Sequence, residues 1–172
     1  MNALLRFTVE NFLSIAERKS IDFVPDSIKD EPKNNVCTAK GVSYLRTTAI
    51  YGANSSGKSN LIDAIACMSS MIVKSVKVND KEKLPYLPFR LNRTNSKFPT
   101  LYEVDAVIED VRYRYSFSNN ESRILSEQLI RVGKSGSGKP LFIRIEEGIG
   151  VDADIDAAYD MYYQSALLGN AS

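Results

Sequence analysis

The stretch that decides the fold reads Thr47-Thr48-Ala49-Ile50-Tyr51-Gly52-Ala53-Asn54-Ser55-Ser56-Gly57-Lys58-Ser59-Asn60-Leu61. Its middle, residues 52–59, satisfies G-x-x-x-x-G-K-[ST] at every fixed position. Ahead of it, 47–51 is short and fairly apolar on both faces, which predicts a buried central strand. Behind it, Leu61, Ile62, Ile65, Met68, Ile72 and Val73 recur at helical spacing. That row predicts an amphipathic helix from Ser59 to about Val73, with the row facing the core.

Strand, glycine-bearing turn and helix form the setting in which this motif binds polyphosphates. Gly52 and Gly57 are expected to take backbone angles that a side chain resists. The turn then points successive N–H groups inward as an anion nest. The helix start adds unsatisfied N–H groups and the positive end of its dipole. Lys58 supplies a flexible ammonium for the outer phosphates, and Ser59 a hydroxyl for the Mg2+ that bridges them. The interior, Ala53-Asn54-Ser55-Ser56, is small and polar, so a polyphosphate can approach the backbone. The candidate nucleotide site is therefore Gly52, Ala53, Asn54, Ser55, Ser56, Gly57, Lys58, Ser59 and Asn60, with ATP and Mg2+ as cofactors and Ser59 as the metal ligand.

A second match, Gly133-Lys134-Ser135-Gly136-Ser137-Gly138-Lys139, is followed by Pro140. Proline has no N–H for a phosphate and no hydroxyl for magnesium. Leu141 to Ile145 then alternates like a strand, so 133–139 reads as a basic hairpin loop. An acidic partner for ATP hydrolysis is sought at the end of an apolar strand. The nearest candidate, Ala106-Val107-Ile108-Glu109-Asp110, reads better as a hairpin turn. Asp152, Asp154 and Asp156 read as a solvated, negatively charged helix start. No catalytic residue is identified in the chain.

Composition narrows the remaining classes. The 172 residues carry 22 Lys+Arg against 21 Asp+Glu, a net charge of +1, so no global field favours nucleic acid or a membrane surface. Histidine is absent, which excludes Ser-His-Asp or Cys-His catalysis and histidine-ligated metals within this chain. Cys37 and Cys67 have no metal-like spacing and make no disulfide framework. No run reaches the roughly 18 apolar residues of a membrane span, and the N-terminus lacks the pattern of a signal peptide. The expected location is the cytoplasm, with no membrane partner.

Outward from the loop, residues 3–12 alternate as a strand, Ile21-Asp22-Phe23-Val24 makes a second, and 26–42 reads as a surface loop. Residues 74–100 read mostly as loop. Its lysines, Lys74, Lys77, Lys81 and Lys83, read first as a solvated basic loop and second as a DNA contact. Tyr102 to Ile108 and Val111 to Phe117 alternate around Glu109-Asp110 as a hairpin; 124–132 and 140–146 make another pair. Residues 152–168 read as a terminal helix stopped by Gly169. The resulting fold is mixed α/β: a small sheet carrying the loop and helix, with an antiparallel meander over 101–150 beside it.

Glu10-Asn11-Phe12-Leu13-Ser14-Ile15 followed by Ala49 to Leu61 resembles the P-loop ATPase heads of the ABC class, most closely the SMC/RecF/OLD-like branch that includes bacterial AAA-type ATPases of phage-defence and abortive-infection systems. Pro88-Phe89-Arg90-Leu91, the tyrosine-rich 111–117 and Glu127-Gln128-Leu129 extend the resemblance over nearly the whole chain. Where that branch often has a basic residue before the serine of its N-F-x-S start, this chain has Leu13. The L-S-G-G-Q-type signature, an Asp-Glu strand and a switch histidine are all absent. The resemblance therefore implies an N-terminal, incomplete ATPase lobe over 1–172, with residues 1–73 forming the nucleotide-binding part.

It also implies that ATP binding drives head dimerisation and that hydrolysis releases it, as a homodimer or with a partner ATPase half. DNA and a nuclease or effector are further partners implied by the resemblance. Gln128 and Gln164 are candidates for a magnesium-sensing glutamine, with a surface amide as the plainer reading of each. The alternative to an ATPase is a nucleotide-binding or interaction module without hydrolysis of its own. A small kinase would want an arginine-rich lid and a GTPase an N-K-x-D motif, and an antiparallel sheet after the loop helix argues against both. An isolated lobe is expected to self-associate through apolar surface.

Overall fold

The strands alternate large apolar with polar residues, and that period builds a sheet with two different faces. The structure is a computed structural model that describes residues 2–27, 34–39, 41–75, 83–92, 95–133, 136–145 and 148–150. The terminal helix expected over 152–168, Gln164, Lys77 and Lys81 lie outside the described residues.

In chain order the elements are β1 (Ala3–Glu10), β2 (Lys19–Asp22), β3 (Val36–Ala39), β4 (Val42–Leu45), α1 (Lys58–Lys74), β5 (Thr100–Ile108), β6 (Val111–Asn119), β7 (Ile124–Val132), β8 (Gly138–Ile145) and β9 (Gly148–Gly150). Seven strands form one antiparallel sheet in the order β2-β1-β5-β6-β7-β8-β9, and β3-β4 is a separate hairpin.

The meander is as expected, including its turns. Ile108 pairs with Val111 around Glu109 and Asp110, whose positive φ angles of 49° and 65° are those of a tight hairpin turn whose twist matches the right-handed twist of the strands. Val132 pairs with Gly138 around the second glycine-lysine match, and Pro140 lies in β8 opposite Ile130, so that match is a hairpin loop.

The first two strands do not carry the loop in a small sheet of their own. β1 pairs directly with β5 in the register Phe7↔Val104 and Val9↔Tyr102, so two apolar rows become one continuous surface. The second strand lies at Lys19–Asp22 rather than 21–24, with Thr8 opposite Ser20.

Onto that surface packs α1. Ala64, Met68 and Met71 of the helix are buried with Phe7, Val9, Phe12, Ile15, Tyr102 and Phe117. Tyr102, with no exposed surface, meets Phe12 edge-on with ring centroids 6.0 Å apart and tilts against Phe117 at 5.2 Å. The expected helix row is corrected in phase. Leu61 and Ile65 are half-buried and Met68 is buried, but Ile62 and Val73 face outward, and Ile72, on the core side, is 42% exposed in the last turn. Ala64 explains the shift: it has no exposed surface, because a small side chain is what lets the helix approach the sheet at that point.

The surface loop expected over 26–42 is corrected as well, since 36–39 pairs with 42–45. Four-residue strands are too short for alternation to stand out from their polar flanks. The hairpin covers the sheet's opposite face, where Tyr44 packs with Leu5 and Val107. Leu5 reaches that side through a β-bulge, the register slipping between Leu4↔Ala106 and Arg6↔Asp105. The Leu5 carbonyl accepts the Phe23 N–H at 2.8 Å, and the Phe23 carbonyl accepts the Leu45 N–H.

The rest of this face is a buried polar band. Asp105 receives Arg112 through two hydrogen bonds of 2.8 Å and Arg114 at 3.2 Å. Ser118 and Ser126 share a hydrogen bond of 2.6 Å. Gln128 donates to Ser116 Oγ at 3.0 Å and is buried within the sheet. It is therefore neither a surface amide nor a group near the loop helix.

Candidate nucleotide site

The loop hangs between the hairpin and the helix. Asn35 holds its approach: the Thr47 N–H donates to Asn35 Oδ1 at 3.0 Å, and Asn35 Nδ2 donates to the Thr47 carbonyl at 3.1 Å. From there 47–51 runs outside any strand ladder, and Tyr51 is 90% exposed. The buried central strand expected there is corrected for a plain reason. A strand needs a neighbour to complete its backbone hydrogen bonds, and among the described residues none pairs with this segment.

The turn itself is more specific than the motif alone implies. Gly57 sits at φ 90°, ψ 7°, as expected, and caps α1. Gly52, in contrast, has no positive φ; the other left-handed residue of the loop is Ser55, at φ 62°. What Gly52 provides is space, since a Cβ there would lie 3.0 Å from Ser56 Oγ.

No side chain caps α1 and no acidic residue stands in its first turn. The Leu61 N–H reaches back to the Gly57 carbonyl at 3.1 Å. The N–H groups ahead of it, of Lys58, Ser59 and Asn60, lie at the helix start where no carbonyl of the helix can receive them. Lys58 folds into the loop's centre. Its Nζ donates to the carbonyls of Gly52 at 2.8 Å and Ala53 at 2.6 Å, and to Ser56 Oγ at 3.3 Å. Ser59 is exposed on the first turn and Asn60 half-buried. Gly52 to Asn60 thus come together as one segment with free amides at the helix start, the Lys58 ammonium and the hydroxyls of Ser55, Ser56 and Ser59. That donor set fits a triphosphate with its magnesium.

Beside the loop opens a cavity of about 490 Å³, with Gly57 and Lys58 on one wall and Ser14, Lys19, Ile50 and Phe89 on the others. It is large enough for a nucleoside beyond the phosphates. Two residues of its surroundings went unassigned at the level of sequence, although both lie in the Glu10–Ile15 stretch. Asn11 is buried and gathers distant backbone. Its Nδ2 donates to the carbonyls of Asn95, Phe98 and Pro99, and its Oδ1 accepts the Phe89 N–H at 3.0 Å. Ser14 Oγ accepts a 2.6 Å hydrogen bond from Asn60 Nδ2.

Among the described residues no group of three or more His, Cys, Asp or Glu is placed to hold a metal, and no helix is long and apolar enough to cross a membrane. Glu109 and Asp110, the acidic pair weighed for hydrolysis, form the exposed β5–β6 turn.

A G-x-x-x-x-G-K-S turn leading into a helix, set against a sheet-dominated α/β body, marks a P-loop ATPase-like domain. Residues 47–161, more than half the chain, match the family model described as "AAA domain, putative AbiEii toxin, Type IV TA system", and the chain belongs to that family. A search of curated proteins finds no match. P-loop ATPase domains of this kind generally bind ATP with Mg2+.

Proposed function

We propose that the chain binds ATP–Mg2+ through Gly52, Ala53, Asn54, Ser55, Ser56, Gly57, Lys58, Ser59 and Asn60. The observation that carries this reading is the uncapped start of α1 with the Lys58 ammonium held inside the turn. Its present partners are two carbonyls and a hydroxyl, which a polyphosphate outcompetes because it bears full negative charge. The loop N–H groups would then donate to phosphate oxygens and Ser59 Oγ would help hold the Mg2+, which supplies positive charge against the phosphates. Isothermal calorimetry tests it. ATP should bind with magnesium, and Lys58→Ala should lose at least about tenfold in affinity. Equal binding by folded Lys58→Ala overturns the reading.

We infer further that this is the N-terminal part of an ABC/SMC-like ATPase head. Support comes from two surfaces that ask for a second layer: the unladdered 47–51 segment and the outward apolar side of α1. Among the described residues no acid stands in the first turn of α1, and Glu17 is an acid lining the adjoining cavity without ending an apolar strand there, which favours binding without turnover by this chain alone. Turnover then requires an acidic strand end and signature from outside the described residues, with a second head as partner. Full-length protein should hydrolyse ATP and lose that activity with Lys58→Ala; unchanged turnover counts against an ATPase. Phage defence and an effector partner rest on the family resemblance; DNA rests on it together with Lys74, Lys77, Lys81 and Lys83, and a cytoplasmic setting on the sequence's lack of an apolar span or signal pattern.

A further inference from the structure

The turn after β1 and the start of α1 are far apart in sequence but meet at one hydroxyl. The turn is stiff. Phe12 and Ile15 exchange two backbone hydrogen bonds of 2.8 and 2.7 Å. Both of their side chains are buried in the main core, and Asn11 and Leu13 are held at left-handed φ angles of 55° and 47°. Leu13 donates its N–H to the Leu87 carbonyl at 2.7 Å. Ser14 is therefore presented by a fixed frame.

Its Oγ accepts from Asn60 Nδ2 at 2.6 Å and lies 3.0 Å from the position that a Cβ on Gly57 would take. One oxygen thus bonds the residue that follows Ser59 and occupies the space that a side chain on the capping Gly57 would need. Ser14 also lines the cavity beside the loop. Building on the ATP-binding reading, we propose that Ser14 is a positioning residue for the nucleotide. By holding Asn60 close against a glycine cap that leaves it room, it fixes the direction of the first turn of α1 relative to the sheet, and so aims the free N–H groups and the Ser59 hydroxyl at the phosphates. Without it the first turn loses its side-chain link to the turn after β1 and keeps only the packing of Leu61 and of the helix beyond, so binding has to order it further.

The test is a double-mutant cycle on ATP–Mg2+ affinity, with thermal melts confirming that each variant is folded. Ser14→Ala and Asn60→Ala should each weaken binding about fivefold, the size of one hydrogen bond to a neutral partner. The double variant should also lose about fivefold, not the product of the two, because both changes remove the same link. Ser14→Thr, which keeps the oxygen, should bind close to wild type. A merely structural role moves the melts but not this non-additivity. Unchanged affinity in Ser14→Ala, or losses that multiply, overturns the proposal while leaving ATP binding intact. Folded wild type that binds no ATP overturns the ATP-binding reading and this inference with it.

Discussion

Asn11 shows how much of the architecture one amide can hold. It combines three donations and one acceptance with a carbonyl that receives Thr100 Oγ1 at 2.8 Å. Its left-handed φ is one that asparagine tolerates better than most residues. Asn11→Ala should cost about 2–4 kcal/mol, since it strands several buried polar groups and adds backbone strain. Asn11→Asp should cost more, because a carboxylate would face three carbonyls. Urea midpoints measure both. None of this was readable from sequence, where Asn11 is one polar letter in an alternating run; its partners lie more than 70 positions away. Lys58 and Ser59 were readable because their roles are local to eight residues.

At the same scale, burial and the neighbouring Cys67 thiol hold the Tyr102 hydroxyl well above its usual range, and burial and Glu127 do the same for Tyr115. A raised folded pKa means that the native state keeps the proton when the unfolded chain releases it. The associated stability is whole below about pH 10 and is lost as pH climbs through and beyond that value. Tyr102→Phe should therefore differ from wild type by about 1 kcal/mol at pH 7, the size of one weak hydrogen bond. The gap should close or reverse above about pH 10. Parallel denaturant titrations at the two pH values read this directly; a gap that widens at high pH contradicts it.

At the scale of elements, α1 was legible in existence and length but not in phase. The apolar letters Ile62, Ile72 and Val73 fit the period as well as the residues that are buried, and only the sheet's shape decides among them. Met68→Ala should cost about 2–5 kcal/mol. Ile62→Ala and Val73→Ala should each change stability by about 0.5 kcal/mol or less, the usual size on a surface. Ala64→Leu should destabilise by about 1–3 kcal/mol through overpacking where the helix touches the sheet. The meander was readable because nine-residue strands repeat their alternation around turns of recognisable chemistry. The β3–β4 hairpin was not, and neither was the bulge that turns Leu5 toward it, since both depend on what each side chain meets across space.

For the whole molecule, the segment 47–51 and α1 pose one physical problem together. The former is written as a strand yet has no ladder. The latter buries one side on the sheet and shows Ile62 and Val73 on the other, while Tyr51 and Leu91 are each 90% exposed. Scattered exposed apolar residues are ordinary, but an amphipathic helix with an apolar outer row and an extended edge beside it favours association. The 172-residue chain should therefore self-associate at micromolar concentration. Sedimentation equilibrium should give a weight-average mass that rises with concentration above 19.2 kDa. Ile62→Lys combined with Val73→Lys should return it toward the monomer while leaving the urea midpoint nearly unchanged, because neither side chain contributes to the core. A single 19.2 kDa species up to about 100 µM would show that these surfaces are satisfied within the chain. That result would remove the structural support for a second layer, although the phosphate-binding reading of Gly52 to Asn60 would stand on its own geometry.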